Sequence, residues 1–269
     1  MRTHPDNAID TAIVVPCYDE ASRLPSDAFF DFCAETPWVA FVFVNDGSRD
    51  GTLDVLRALA ARLPERVHVV DQQPNQGKAA AVRTGMLWAL GERLRFAGYW
   101  DADLATPLDE IAGFRRALDE DAQVEMAMGA RIQMLGREIS RSPLRHYLGR
   151  VFATAASTTL GLPVYDTQCG AKLFRVSALT RELFGEPFRT GWIFDVEILA
   201  RLVRACHAEG RDPARVVLEV PLKRWRDVAG SRVRPVDFLK AIAELERVRR
   251  TYLRKPPGQR AADADESVE

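Results

Sequence analysis

Histidine and cysteine are scarce, four of each in 269 residues. Cys17, Cys33, Cys169 and Cys206 stand far apart with no Cys-x-x-Cys pair. Neither a zinc site nor a disulfide framework is signalled, and four reduced thiols in a cytoplasmic protein are expected. His4, His68, His146 and His207 are equally scattered, which argues against a histidine-built metal centre. Net charge is also lacking: 37 basic and 38 acidic side chains leave −1, unlike a general nucleic-acid binder. Long apolar runs are missing. The start, MRTHPDNAID, is polar, and the apolar run after it is too short for a signal peptide. The uncharged stretch VFATAASTTLGLPV (151–164) is rich in Ala, Ser and Thr and falls short of the ~20 apolar residues a spanning helix needs. A soluble, cytoplasmic chain without a transmembrane helix is expected.

What is present is a regular alternation. TAIVVP (11–16), VAFVFVND (39–46), RVHVVDQ (66–72), FAGYWDAD (96–103) and VEMAMGAR (124–131) predict buried strands. Between them lie helical patterns: SDAFFDFCAET (26–36) with Ser26 placed as N-cap, GTLDVLRALAARL (51–63), KAAAVRTGMLWALGERL (78–94) and LDEIAGFRRALDE (108–120). Strands alternating with helices argue for an α/β fold with a single, mostly parallel, Rossmann-like sheet covered on both faces. Beyond residue 131 the pattern loosens. A helix is expected from about Pro143 to residue 162, and a strand or hairpin rim over 166–176. An amphipathic helix over 193–210 should end at Gly210, followed by a strand over 215–225 and a last helix over 235–255. The expected layout is a flexible N-terminus (1–10), one domain (11–255) with halves 11–131 and 132–255, and a disordered tail (256–269) almost devoid of large apolar residues.

In open α/β sheets ligands collect at the carboxyl ends of the strands. Those places here read PCYDE, NDGSRDGT, QPNQGK and DADLATP. A turn needs glycine or proline, but it does not need carboxylates at the same rim each time. Asp101 and Asp103 are the sharpest case. If the strand runs through them, both point to one face, and two like charges there call for a cation. Hard divalent cations choose oxygen ligands. The plainer alternative is a solvated turn whose acids cap the next helix, and Asp-x-Asp alone does not decide between them.

Taken in order, VVPCYDE, VNDGSRDGT, NQGKAAAVRTG, DADLATP, DTQCGAKLF and FDVEIL resemble glycosyltransferase family 2. Within it the chain is similar to the dolichyl-phosphate and polyprenyl-phosphate sugar transferases, with DTQCGAKLF and WRDVAGSR resembling the dolichyl-phosphate glucosyltransferase branch. The resemblance spans residues 11 to about 232. It implies a GT-A fold, a nucleotide-diphosphate sugar donor (UDP-glucose or similar, with GDP-mannose as the alternative), inversion at the anomeric carbon, and Mg²⁺ or Mn²⁺. By the same resemblance Pro16, Tyr18 and Glu20 lie near the base and ribose, Asp46 contacts the base, and Lys78 lies by the donor. Asp101 faces the ribose or metal, and Asp103 ligates the metal. The family often has Asp where this chain has Asn45. A cation held there would neutralise charge growing on the departing nucleoside diphosphate. Mg²⁺ needs only one or two protein carboxylates beside substrate phosphates. The metal reading is therefore preferred for Asp101 and Asp103, with Asp109 and Glu110 left as first-turn acids that suit the helix dipole.

Two regions bear on the acceptor. Arg131, Arg137, Arg141, Arg145 and Arg150 form a basic segment opposed only by Glu138. It reads either as a solvated face or as a phosphate clamp, since arginine suits bidentate phosphate contacts. In the transferases the chain resembles, the loop and helix after the fifth strand bind the lipid phosphate, which selects Arg131 and Arg145. Asp195 and Glu197, in FDVE, stand where hydroxyl-acceptor members keep their catalytic base. Asp166 is a second candidate, and Asp195 would equally serve as a helix cap. The basic end of the last helix (Arg247, Arg249, Arg250, Arg254, Lys255) joins the arginine segment as a candidate surface for anionic lipid. The expected function is inverting, metal-dependent transfer of a hexose from a nucleotide sugar to a polyprenyl or dolichyl phosphate. Peripheral membrane contact is left open and no nucleic-acid partner is expected. A soluble hydroxyl acceptor is the alternative, and a non-catalytic nucleotide-sugar-binding protein the more distant one.

Overall fold

The apolar runs assemble one sheet because each is too apolar to face water on either side. The computed structural model describes residues 9–140, 143–226 and 235–253, without the side chains of 143–146, 148 and 235–239. The strands are β1 (Thr11–Cys17), β2 (Val39–Asp46), β3 (Val67–Gln72), β4 (Phe96–Trp100), β5 (Met126–Ala130), β6 (Glu138–Ser140), β7 (Ala171–Arg175), β8 (Val217–Pro221) and β9 (Arg224–Arg226). The helices are α1 (Ser26–Glu35), α2 (Thr52–Arg62), α3 (Lys78–Gly91), α4 (Glu110–Glu120), α5 (Pro143–Leu160), α6 (Ala178–Gly185), α7 (Phe194–Ala208) and α8 (Pro235–Val248), the last running into a π-helical turn at Arg249–Leu253. Seven strands lie in the order β3-β2-β1-β4-β7-β5-β8, and β6 pairs with β9 apart from them. Every pairing in the large sheet is parallel except those of β7, which runs antiparallel to β4 and β5.

All eight residues of β2 are buried, as expected of a strand covered on both faces. In β1 the side chains alternate. Ile13 and Val15 join Phe41 and Phe43 against Phe29 of α1, Leu56 and Leu59 of α2 and Phe114 of α4. Val14 joins Val42 and Val44 against Val82 and Met86 of α3 and Leu199 and Leu202 of α7. Two apolar layers thus clamp the sheet, and its carboxyl rim stays free for polar chemistry.

The five expected strands and four intervening helices are present in the first half. β4, however, stops at Trp100, so Asp101 and Asp103 occupy a turn rather than a strand. The turn keeps both outward all the same, with Ala102 buried between them and Leu104 at a left-handed φ of 51°. Ser26 is the first helical residue and not a cap: the cap position is Pro25, with no side-chain cap bond. Glu110 does more than suit a helix dipole, for its buried carboxylate accepts from the Lys223 and Arg224 backbone N–H groups. Asp10, expected within a flexible N-terminus, is buried and accepts hydrogen bonds from Arg95 and Arg115. Residues 1–8 and the tail expected over 256–269 lie outside the described residues. β6 and α6 were not foreseen; Ser177, whose side chain accepts from the Thr180 N–H, is the start signal that marks α6. Among the described residues no helix is long and apolar enough to cross a membrane.

The insertion of β7 rests on a close approach. A Cβ at Gly98 would lie 2.2 Å from the Lys172 carbonyl oxygen, so only glycine lets β4 and β7 pair here. α7 is then locked from behind by Glu197. Its buried carboxylate accepts from the N–H groups of Arg189 and Thr190, the Thr190 hydroxyl, Arg201 and the Tyr252 hydroxyl. Burial opposes the Glu197 charge, but these donors, led by the Arg189 N–H, outweigh it and hold its pKa below the ordinary 4.5. A depressed carboxylate contributes stability that is present above its unfolded pKa and lost as pH falls through the folded one. Urea unfolding between neutral pH and pH ~3 should therefore show stability falling on the acid side of 4.5. Glu197→Gln should be less stable at neutral pH and should flatten that acid slope; an unaltered slope would remove Glu197 as its source.

Candidate functional site

The loops after β1 and β2 are laced together at the rim. The Asp19 N–H donates to Ser48 Oγ at 3.1 Å and the Arg49 N–H to Asp19 Oδ1 at 2.8 Å. The Glu20 N–H donates to Thr52 Oγ1 at 2.8 Å, and the Glu20 carboxylate takes Arg23 Nε at 2.9 Å. Pro16, Tyr18 and Glu20 are half-buried along this edge, as a nucleotide-facing margin requires. Asp46 does not face it. Only 2% exposed, its carboxylate accepts from Gln72 Nε2, the Gln76 N–H, Asn75 Nδ2 and the Gly77 N–H. Four donors fill the roughly four lone-pair sites of a carboxylate, leaving none for a base. Asp46 instead shapes the loop between β3 and α3. Asn45 beside it donates to Asp71 at 2.7 Å.

That loop delivers Lys78, the first residue of α3, to the turn after β4. Lys78 Nζ lies 2.5 Å from Asp101 Oδ1. Burial opposes the Lys78 charge, but Asp101 and then Asp195 outweigh it and raise its pKa. Gly170 backs Asp101 from the other side: its carbonyl accepts the Asp101 N–H at 3.0 Å, and a Cβ there would stand 1.9 Å from Asp101 Oδ2. Asp103 Oδ1 accepts the Ala105 N–H at 3.0 Å. Burial, then repulsion from Asp101, raises the Asp103 pKa. Two outward carboxylates that oppose each other's charge form an oxygen-only donor set, which suits a hard divalent cation. Among the described residues no group of three or more His, Cys, Asp or Glu could hold a metal, so a cation here would rely on Asp101, Asp103 and oxygens brought by substrate.

Asp195 enters from α7. It is the second residue of that helix; the cap position is Ile193. The N–H groups of Gly191, Trp192 and Ile193 are met by Glu244 of α8, so capping is not the work of Asp195. Its Oδ1 accepts from the Tyr99 hydroxyl and from Lys172 Nζ, each at 2.5 Å. The Lys172 side chain is 0% exposed, and its other donors go to the carbonyls of Cys169 (2.6 Å) and Thr167 (3.2 Å). Sequence reasoning missed Lys172, Tyr99 and Gly170. A lysine inside the otherwise apolar strand AKLF was the available signal, since a charge buried in a sheet must find a partner.

The arginine segment does not form one helical face. α5 begins at Pro143, and Arg137 lies in the loop before β6. Arg131 is not a free phosphate clamp: Nε and Nη2 grip Asp166 at 2.6 and 2.7 Å, and its N–H adds a third bond at 3.1 Å. Burial opposes the Arg131 charge, but Asp166 outweighs it and raises its pKa. Asp166, a candidate base, is thereby committed to a guanidinium. Arg150 donates to the Tyr165 carbonyl at 2.9 Å and stacks on its ring at 3.8 Å. Arg141 and the Arg145 side chain lie outside the described residues. At the last helix Arg249 and Arg250 pair with Glu246, and Arg247 donates to the Arg189 carbonyl. That surface is less basic than its sequence; Arg254 and Lys255 lie outside the described residues.

Comparison with known proteins bears on the family and the fold. A family model described as Glycosyl transferase family 2 matches residues 12–182. The chain is 31% identical, over 88% of its length and 70% of the relative's, to a dolichyl-phosphate beta-glucosyltransferase of Trichomonas vaginalis. It is 32% identical, over 85% of its length and 70% of the relative's, to the dolichyl-phosphate beta-glucosyltransferase of Drosophila melanogaster. Among solved structures it is similar to glucosyl-3-phosphoglycerate synthase from Mycobacterium tuberculosis in complex with Mn²⁺, UDP-glucose and phosphoglyceric acid. The TM-score is 0.60 at 16% identity, covering 90% of this chain and 80% of that one. That likeness carries the fold, a GT-A arrangement of a mostly parallel sheet between helices.

The Lys172–Asp195 pair should behave as a buried ion pair. Lys172→Met leaves Asp195 without its cation, and a broken buried pair typically costs ~3–5 kcal/mol. Lys172→Met combined with Asp195→Asn should recover much of that loss in urea unfolding. Two effects that simply add would show the pair is not coupled.

Proposed function

The chain belongs to glycosyltransferase family 2, and from that premise we propose that it moves a hexose, with inversion, from a nucleoside-diphosphate sugar to a polyprenyl phosphate. The donor half is residues 11–131 and the acceptor half 132–255. UDP-glucose is the favoured donor, because the relatives described above are named as glucosyltransferases.

One observation carries the choice of acceptor. None of the three acids expected to serve as base stands unengaged. Asp195 shares Oδ1 with a buried ammonium and a phenol, Asp166 is held by Arg131, and Glu197 is saturated by donors. A carboxylate oxygen already engaged by donors has less room to take a proton from a nucleophile. A phosphate monoester, with a second pKa of about 6, arrives already ionised and needs no base. A hydroxyl must lose a proton as it attacks, and a positioned base contributes ~100-fold or more to that step.

On the donor side Asp101 and Asp103 would hold Mg²⁺ or Mn²⁺. When bound, the cation offsets charge growing on the departing diphosphate. Lys78 and the first N–H groups of α3 face the same region, where a helix start favours phosphate. Glu20 and Arg23, near Asp103, border the nucleotide side. A lipid acceptor places the reaction at a membrane surface. Between β5 and β6, Leu135 is 104% exposed with Met134 beside it at 51%, an apolar tip suited to peripheral contact.

The test is single-turnover transfer from a panel of radiolabelled nucleotide sugars to purified polyprenyl phosphate, with and without a chelator. Transfer should need the cation, and Asp103→Asn should abolish it with the fold retained. The double variant Lys172→Met, Asp195→Asn, which removes the acid without stranding the buried ammonium, should stay within ~10-fold of wild type. Transfer that survives exhaustive chelation would remove the metal role, and a folded double variant slowed ~100-fold or more would point to a hydroxyl acceptor.

A further inference from the structure

We infer that Lys78 and a divalent cation are alternative partners of the Asp101 carboxylate, and that cation binding hands Lys78 over to the donor's diphosphate. The inference rests on the reading of Asp101 and Asp103 as the cation site. It extends that reading to how the site is loaded.

The Asp101 carboxylate sits between Gly170 and Lys78. Both of its oxygens pack on Gly170, where a Cβ would stand 1.9 Å from Oδ2 and 2.6 Å from Oδ1. Oδ1 is the oxygen that Lys78 Nζ holds at 2.5 Å. A divalent cation and an ammonium cannot both sit at contact distance on that oxygen, because like charges so close repel strongly. A cation that takes Asp101 therefore competes with Lys78 for the same carboxylate.

The pair is built to open. The side chains of Lys78 and Asp101 are 44% and 35% exposed, so water can solvate each partner as they separate. Pairs that keep this much contact with water are held far less firmly than buried ones. The neighbouring Lys172–Asp195 pair, at 0% and 7%, has no such freedom.

Once released, Lys78 needs an anion. It is the first residue of α3, preceded by Gly77 at φ 89°, with no acid in the first turn and no side-chain cap bond. A lysine at the positive end of a helix is electrostatically disfavoured, and Asp101 is its ion-pair partner. When Asp101 turns to a cation, the ammonium and the helix start lose their nearest counter-charge. A nucleoside diphosphate supplies the matching charge. Cation and diphosphate should therefore strengthen each other's binding, and linkage makes that coupling reciprocal.

The experiment measures Mn²⁺ binding to the purified full chain through the electron paramagnetic resonance signal of free Mn²⁺, alone and with saturating UDP or GDP. For wild type, nucleotide should tighten Mn²⁺ binding ~10-fold or more. Lys78→Met should bind Mn²⁺ alone ~10-fold more tightly than wild type and lose most of the enhancement by nucleotide. Lys78→Arg keeps a cation on Asp101 and should bind Mn²⁺ alone as weakly as wild type. If Lys78→Met binds Mn²⁺ alone no better than wild type while wild type binds Mn²⁺ with nucleotide, the exchange is overturned and the cation site stands. If wild type binds no Mn²⁺ even with nucleotide, the cation site itself fails, and the exchange with it.

Discussion

A lysine ammonium with no access to water dictates what surrounds it. Lys172 sits on β7 at the middle of the sheet, 0% exposed. A buried charge is tolerated only when paired and hydrogen-bonded. An ammonium has three donors, and all three are used: Asp195, the Cys169 carbonyl and the Thr167 carbonyl. Each partner is a positional demand. Asp195 must be aimed at β7, which fixes the first turn of α7 beside the end of β4. The two carbonyls must turn inward, which folds residues 167–170 back on the strand. Gly170 then lies against Asp101, so the buried lysine sets the wall on which the outward acids of the rim are mounted.

The molecule uses ion pairs in two ways, told apart by solvent. Arg131–Asp166, Arg201–Glu197 and Lys172–Asp195 are all largely withdrawn from water. Breaking any of them would strand a charge, so they act as fixed joints between strands, loops and helices. Lys78–Asp101 is the wet pair at the rim, where separation costs little. A transferase needs that division. The charges that position the reacting groups should not move, and those that meet the substrate's own charges must be able to change partner.

The layers were legible because they follow from local periodicity. VAFVFVND reads as a buried strand whatever it pairs with, and the leucines of 51–63 form one face of α2. The direction of β7 was not legible. Its pairings join residues some 75 positions apart, such as Gly98 and Leu173, and nothing within AKLFR states which way it runs. The acids of FDVE show the same limit at the site. Asp195 and Glu197 stand two apart on a helix, so they cannot share a face; Asp195 meets the sheet and Glu197 meets Tyr252 of the last turn. Spacing alone separates them, but assigning each its side needs the tertiary partners. The arginine segment misled for a related reason. Arg131 and Arg150 read as free cations until the Tyr165–Asp166 turn, distant in sequence, folds between them.

That turn is where the acceptor argument comes to rest. Glu219 of β8 accepts the N–H groups of Tyr165 and Asp166, each at 2.8 Å. Burial, more than the backbone donors can offset, raises its pKa. Arg131 and Arg150 hold the same turn from β5's end and from α5. Carboxylates here are used as anchors and counter-ions, and acids so engaged are poorly placed to take a proton from a nucleophile. With an acceptor that brings its own negative charge, that is no loss. The demand falls on positioning and on the leaving group, where Asp101, Asp103, Lys78 and the start of α3 are gathered. The proposed phosphate acceptor and the commitment of the buried acids are thus two sides of one constraint: the more firmly the scaffold ties its carboxylates down, the more the nucleophile must arrive already ionised.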